Sequence, residues 1–456
     1  MCDPNCKNTL SPPAWPCLTA VPLLFLSVLL TARASYFPTT DQTWQTTTAE
    51  AAGADAALLV DAVAYAEAAN TSSLVILHGG RILSENYWGG RNRNTKSNLF
   101  SASKAMVATM VGQLLAEGTF ISLDQKSSVF LDEWKGVAGK QEITLRHHLT
   151  MTTGLEGGEQ NLIGQVLARN ERFFAANLPL EHSPGTYWTY NNPAYRLLFS
   201  IIEEATGQSL ATVSTQKLFQ PLGMDAEWNI RTTTLGNQTF LNYQSINATA
   251  LSAARFGLLA LRNGLWNGIQ IVPTAFMAES TNTSQDINPS YGFLWWHNRG
   301  ATAGGQQLLF DGVLREGPYF PDAPPDLFAA IGKDDQIIAV IPSLDLVIVR
   351  QGSALGAASE AIAQEQNILF GKIAKAFAYP GQPQPFPPAL AWTNGSGVLT
   401  WTAWYGRKYS PQFSPDLAPA SWLPRAAGPI IGEGLPVTFP VSESSPSGFF
   451  RLAYGL

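Results

Sequence analysis

The sequence predicts an α+β fold, with strands at both ends of its main domain and helices between them. Three observations predict it. The stretch "SLVILHGGRILSENYWGG" at 73–90 reads as two strands joined by a tight His78-Gly79-Gly80 turn. Strand-like runs return at 327–331, 336–341 and 345–350, the last carrying "LVIVR". Helical patterns fill the interval at 101–118, 160–176 and 193–217. Strands at the two sequence ends of a helical middle imply one antiparallel sheet that pairs the first strands with the last.

Bulk properties bound the function. Of the 456 residues, 45% are hydrophobic and 14% charged, so the chain is globular with a large core. A net charge of −6 leaves no basic surplus to neutralise phosphates, which excludes a nucleic-acid partner.

Taken from the N-terminus, residues 1–34 form a separate segment. "AVPLLFLSVLLTA" is an apolar run too short for a comfortable membrane span. With small residues Ala32 and Ala34 behind it, the run reads either as a cleaved export signal or as an uncleaved membrane anchor. Cys2, Cys6 and Cys17 are the only cysteines and all precede the cut, so the mature chain would hold no disulfide and no thiol nucleophile. Cys17 lies before the apolar run, where a lipoprotein cysteine would follow it.

The main domain is assigned to 35–378. In its first long helix Met106, Val107, Met110, Val111, Leu114 and Leu115 recur at helical spacing, and Gly118 is the stop. Ser101 and Lys104 are three apart, share a face and can touch. An ammonium group beside a core is costly unless something pairs with it. A serine hydroxyl needs a base to become a nucleophile, and a lysine serves as that base only when its pKa is lowered. Ser214 and Lys217 match the same Ser-x-x-Lys spacing, so the motif alone does not choose. Tyr190-Asn191-Asn192 is the only Tyr-x-Asn in the chain, follows a Pro-Gly turn and opens an apolar-striped helix. A tyrosine oxygen near an ammonium can share its proton, and an asparagine amide can hold the lysine. Ser103 lies off that geometry and is read as structural.

At 379–388, "YPGQPQPFPP" is a semi-extended proline-rich linker. Residues 389–456 add short strands in "LAWTNGSGVLTWTAW", "LPVTFPV" and "GFFRLAYGL", a small all-β, sandwich-like module. The module is expected to fold on its own, so that a chain cut near residue 380 stays soluble and active. It resembles the immunoglobulin-like or fibronectin-like modules appended to secreted bacterial hydrolases, which implies contact with cell wall or polysaccharide.

The domain resembles the serine β-lactamase-like superfamily, above all class C β-lactamases, family VIII carboxylesterases and 6-aminohexanoate-dimer hydrolases. "ITLRHHLTMTTGL" at 143–155, "PGTYWTYNN" at 184–192, "LFQPLGM" at 218–224 and "YGFLWW" at 291–296 occur in that family's order. The resemblance spans about residues 50 to 375. It implies a β-lactamase/transpeptidase-like fold: an antiparallel sheet flanked by helices, plus a helical subdomain. It also implies Ser101 as acyl-accepting nucleophile, Lys104 as its base partner, Tyr190 as catalytic tyrosine and Asn192 as polar partner. The family's third motif, Lys-Thr-Gly or His-Thr-Gly, is absent. On the matching strand Gly332 takes the place of its glycine, and the Lys333 backbone N–H would complete an oxyanion hole with that of Ser101. Asp334 and Asp335 beside it disfavour a ligand carboxylate.

Other constellations point elsewhere. No Gly-x-Ser-x-Gly elbow exists, and His78-Gly79-Gly80 between two strands is a hairpin turn rather than an oxyanion loop. His147 and His148 are adjacent, and His182 and His297 are isolated, so no metal and no cofactor are expected. Trp188, Trp295 and Trp296 line a pocket or pack the core. The Gly- and Pro-rich stretch 300–326 shapes the substrate entrance. The expectation is an exported serine hydrolase of small esters or amides that works through an acyl-enzyme. The alternatives are a β-lactamase or D-alanyl-D-alanine peptidase, and an inactive homologue that binds a partner.

Overall fold

A computed structural model describes residues 35–40, 43–298, 306–308, 314–355, 362–382, 389–393, 396–404, 407–415, 418–419, 422–431, 435–441 and 449–455. The readings of residues 1–34, of much of 300–313 and of linker positions 383–388 lie outside the described residues. Tyr36–Leu456 forms one compact unit.

The main domain is built on a six-stranded antiparallel sheet. Its strands are β1 (Thr71–His78), β2 (Arg81–Tyr87), β3 (Trp296–His297), β4 (Phe328–Gly332), β5 (Gln336–Ile341) and β6 (Leu346–Gly352), in the order β2-β1-β6-β5-β4-β3. The first strand therefore lies beside the last, with Val75 opposite Val349. Gly79 and Gly80 join β1 to β2 with φ of 60° and 80°, a two-residue turn that needs positive φ at both positions. β5 and most of β6 are buried, which fits a sheet covered on both faces. Helices α1 (Ala56–Ala68) and α5 (Ile362–Ala376) pack on each other, and α1 also packs on β1. Helix α4 (Ala250–Leu261) crosses β1, β5 and β6.

The helix expected at 101–118 is α2, Ser103–Ala116, entered through a single tight turn at Phe100–Ala102. Two longer helical expectations are broken by local chemistry. The 160–176 pattern divides into Glu159–Leu167 and Glu171–Ala176, because the Asn170 side chain caps the second piece by accepting from Phe173 N. The 193–217 pattern begins as α3, Asn192–Thr206, and stops at Gly207, whose φ is 65°. Ser209 then caps a new helix, Leu210–Ser214, which continues as a wide turn over Thr215–Phe219.

One element positions the site and has no clear sequence signal. Ala226–Leu235 and Gln238–Thr249 form a long hairpin, and Lys96–Asn98 pairs with its second strand. Leu99 N donates to Ile246 O (2.9 Å), and Ile246 N donates to Ser103 Oγ (2.8 Å). Ser103 is thus a fastener between α2 and the hairpin. Beyond residue 388, one small sheet holds Ala389–Thr393, Ser396–Ala403 and Leu435–Val441, and another is built around Lys408–Ser414. Leu399, Trp401, Tyr409 and Val441 form a common core. Among the described residues, no helix is long and apolar enough to cross a membrane.

Candidate active site

The turn before α2 presents Ser101. Asn98 Oδ1 accepts from Phe100 N (2.8 Å) and from Ser245 Oγ (2.7 Å), which holds Phe100 at a φ of 45°. A bulky residue in that region is strained by about 1–3 kcal/mol, and surrounding packing must hold it there. Lys104 Nζ lies 2.9 Å from Ser101 Oγ and donates to Asn192 Oδ1 at 2.7 Å. The side chain is buried, with the amine over the faces of Tyr195 (4.5 Å to the centroid) and Tyr190 (5.0 Å). Burial, and secondarily the nearby Arg196 guanidinium, hold the lysine well below its ordinary pKa.

The segment before α3 supplies the other half. Asn191 is the helix cap, accepting from Ala194 N (2.9 Å), and its amide donates to Leu155 O and Glu156 O, each at 3.0 Å. That fixed cap turns Asn192 toward Lys104 and leaves Tyr190 next to Ser101. Burial pushes the Tyr190 hydroxyl up to about 12, although its hydrogen bond with Ser101 acts in the opposite direction. The phenol is therefore neutral at ordinary pH, while the lysine amine is the group whose free base is favoured.

The Tyr190 ring stacks on Trp296 (5.9 Å, 18°), which stacks on Tyr319 (5.4 Å, 13°). Tyr291 closes an edge against Trp296 (4.7 Å, 80°). Trp188, Trp295 and Trp296 are all buried, so they pack rather than line an open pocket. Tyr195 carries no site expectation from the sequence, although it stands three residues beyond the quoted segment "PGTYWTYNN".

Strand β4 ends against the Ser101 turn. A Cβ on Gly332 would lie 2.2 Å from Leu99 O and 3.1 Å from both Ser101 N and Ala102 N. Only a residue without a side chain brings the strand that close. Lys333 follows with an exposed side chain. One expectation here is corrected. Asp334 and Asp335 both adopt left-handed backbone, at φ of 59° and 54°, and this turns the Asp335 carboxylate into the fold. It accepts from Leu355 N (2.7 Å) and from Gln366 Nε2 on α5 (2.6 Å) and is buried. Only Asp334 remains partly exposed beside Lys333.

The second Ser-x-x-Lys pair is not assembled. Ser214 Oγ donates to Leu210 O (2.7 Å) and accepts from Trp228 Nε1 (2.8 Å), while Lys217 pairs with Glu117 (2.6 Å). His147 belongs to a helix cap with Thr144. Among the described residues, no cluster of three His, Cys, Asp or Glu could hold a metal.

His148 is buried behind the site, stacked on Trp134, with Nδ1 bonded to Ala194 O (2.8 Å) and Nε2 without a partner. Nδ1 must carry the proton, and a second proton on Nε2 would meet no acceptor. Burial accordingly pushes its pKa from 6.5 down to about 4. Between those values the unfolded chain binds more protons than the folded one, so stability falls as pH drops through this window. Denaturant titration should show a loss of up to about 3 kcal/mol between pH 7 and 4 that is absent in His148→Leu. An equal pH slope in the variant would refute this assignment.

A family model described as Beta-lactamase matches residues 56–369. An uncharacterized protein of Alkalihalophilus pseudofirmus is 25% identical over 62% of this chain and 84% of its own length. Esterase EstB of Burkholderia gladioli is 32% identical over 29% of this chain and 38% of the esterase. A D-aminopeptidase of Brucella anthropi is 24% identical over 33% of this chain and 31% of that enzyme. The chain thus spans about a third of the length of these two named relatives. Among solved structures, a protein assigned as a 6-aminohexanoate-dimer hydrolase from Bacillus anthracis superposes with a TM-score of 0.57 at 21% identity, over 76% of this chain and 91% of that one. The structure of SurE extends the shared fold to 89% of this chain and 98% of that one, with a TM-score of 0.53 at 16% identity.

Proposed function

The chain belongs to the Beta-lactamase family of hydrolases, and within it we propose a serine hydrolase that cleaves esters or small amides through an acyl-enzyme on Ser101. The observation that carries this reading is the 2.9 Å contact between Ser101 Oγ and the amine of the buried Lys104. Lys104, as free amine, takes the Ser101 proton while Oγ bonds to the substrate carbonyl carbon. The resulting oxyanion rests on the backbone N–H groups of Ser101 and Lys333. Tyr190, a neutral phenol, relays the proton from Lys104 to the leaving group as the tetrahedral adduct collapses. A water molecule then gives a proton to Lys104, attacks the acyl carbon and releases the acid, and Ser101 recovers its proton.

The substrate class follows from β4, which reads Phe328-Ala329-Ala330-Ile331-Gly332. None of these five residues is cationic, and Lys333, the next residue, has an exposed side chain with Asp334 beside it. Likeness to an esterase and to a D-aminopeptidase supports neutral esters and small amides. Export belongs to the same proposal and rests on the apolar run at 20–32. Cell fractions expressing the full chain should be assayed with short-chain p-nitrophenyl esters and with nitrocefin. Activity is expected outside the cytoplasm, with kcat/KM at least about tenfold higher for the esters, the scale of a missing bond to a charged group. A preference for nitrocefin would establish the β-lactamase alternative, and activity confined to the cytoplasm would end the export reading. Failure of a fluorophosphonate probe to label the protein would favour an inactive binding homologue.

A further inference from the structure

The module beyond residue 388 is keyed into the main domain through Arg407. This side chain is 0% exposed. Its Nε donates to Asp322 Oδ1 at 3.0 Å, and its other end donates to Pro321 O. Asp322, itself buried, also accepts from Asn367 Nδ2 on α5 (2.7 Å). The neighbouring Trp404 lies against Gly317, where a Cβ would be 2.4 Å from the indole. One short segment, 317–323, therefore meets the module at both Gly317 and Asp322.

The same segment carries the end of the aromatic column. Tyr319 stacks on Trp296, and Trp296 stacks on Tyr190. The segment is fastened to the strand side as well. Asn298, next to β3, donates to Phe320 O (2.8 Å) and accepts from Phe320 N (2.6 Å). Tyr319 is the ring of this stack that segment 317–323 carries. What fixes the backbone of 317–323 thus fixes the outer ring, and the outer ring limits the tilt of the two beneath it.

We infer that Arg407 is a positioning residue for Tyr190, acting through Asp322, Tyr319 and Trp296, and that the C-terminal module is in this sense part of the active site. The inference rests on the reading of Tyr190 as a proton relay at Ser101. It runs against the sequence expectation that the module is dispensable. An unpaired carboxylate at Asp322 must move toward water, and segment 317–323 moves with it. Proton transfer at Ser101 is sensitive to such displacement of Tyr190, whereas binding of a small ester is not.

The test is a double-mutant cycle on the full-length protein with Arg407→Met, Tyr319→Leu and the pair. Each single change is expected to lower kcat for a p-nitrophenyl ester by about tenfold with KM little altered. The pair should be no worse than the poorer single variant, because both break one path. Arg407→Lys, which keeps a charge for Asp322, should restore part of kcat, and Arg407→Gln replaces methionine in the cycle if that variant does not fold. A folded Arg407→Met with normal kcat, losses that multiply in the pair, or a rise in KM without change in kcat would overturn the inference. Wild-type protein without Ser101-dependent turnover would instead remove the reading of Tyr190 on which it stands.

Discussion

Ser101→Ala should reduce ester turnover by about 10⁴-fold or more and abolish fluorophosphonate labelling, since the oxyanion site and binding alone remain. Ser214→Ala is the matched control. Its hydroxyl is buried between Leu210 O and Trp228 Nε1, and Lys217 pairs with Glu117 instead. That variant should keep wild-type activity within about twofold and lose about 1–2 kcal/mol of stability, the cost of an unpaired indole N–H and a lost hydroxyl bond. Steady-state kinetics and denaturant titration separate the two outcomes. A dead Ser214→Ala with a living Ser101→Ala would reverse the assignment of the motif.

Lys104→Arg is the second large effect. The guanidinium keeps the positive charge and has no free base at working pH. Loss of about a hundredfold or more in kcat is expected, the scale of general-base help. Lys104→Met should lose a similar amount, since neither side chain can take a proton. The wild-type profile should fall on the acid side as Lys104 protonates, and the residual activity of both variants should lack that limb. The physical basis is the enclosure of the amine by Tyr190, Tyr195 and Asn192, which withdraws it from water. Near-normal turnover in the arginine variant would make Lys104 a structural cation, held by the same three partners without a chemical task.

Much of this arrangement was legible in the sequence, and the reasons differ by residue. Ser101 and Lys104 are three apart on one helical turn, so their contact is local. Tyr190 and Asn192 were marked by a Pro-Gly turn and by a helix start that Asn191 indeed caps. The pairing of the first strands with the last followed from strand runs at the two ends of the domain, whereas the edge strand Trp296–His297 did not. The 226–249 hairpin was not legible, because its first strand is mostly exposed and mixes Thr, Asn and Arg without apolar alternation. The break at Asn170 was hidden inside an unbroken helical period. Asp335 was misplaced because a left-handed pair of aspartates sends a side chain opposite to where a regular hairpin would. The column Tyr190–Trp296–Tyr319 draws on three distant segments, and no local pattern encodes such a meeting.

The pairing of β1 with β6 has a consequence for how the chain comes to be folded. Thr71 has Gly352 as its partner, so the strand made first waits for one made almost three hundred residues later. Until then "LVIL" of β1 is an open apolar edge, with only β2 on its other side. The site too is completed late, because the Ser101 turn closes only when Gly332 arrives against it. Such high contact order slows folding and lengthens exposure to aggregation during synthesis or after dilution from denaturant. Ribosome-bound fragments ending before residue 332 therefore carry Ser101 and Lys104 without the strand end that closes against their turn, and should show no ester turnover until that strand has emerged.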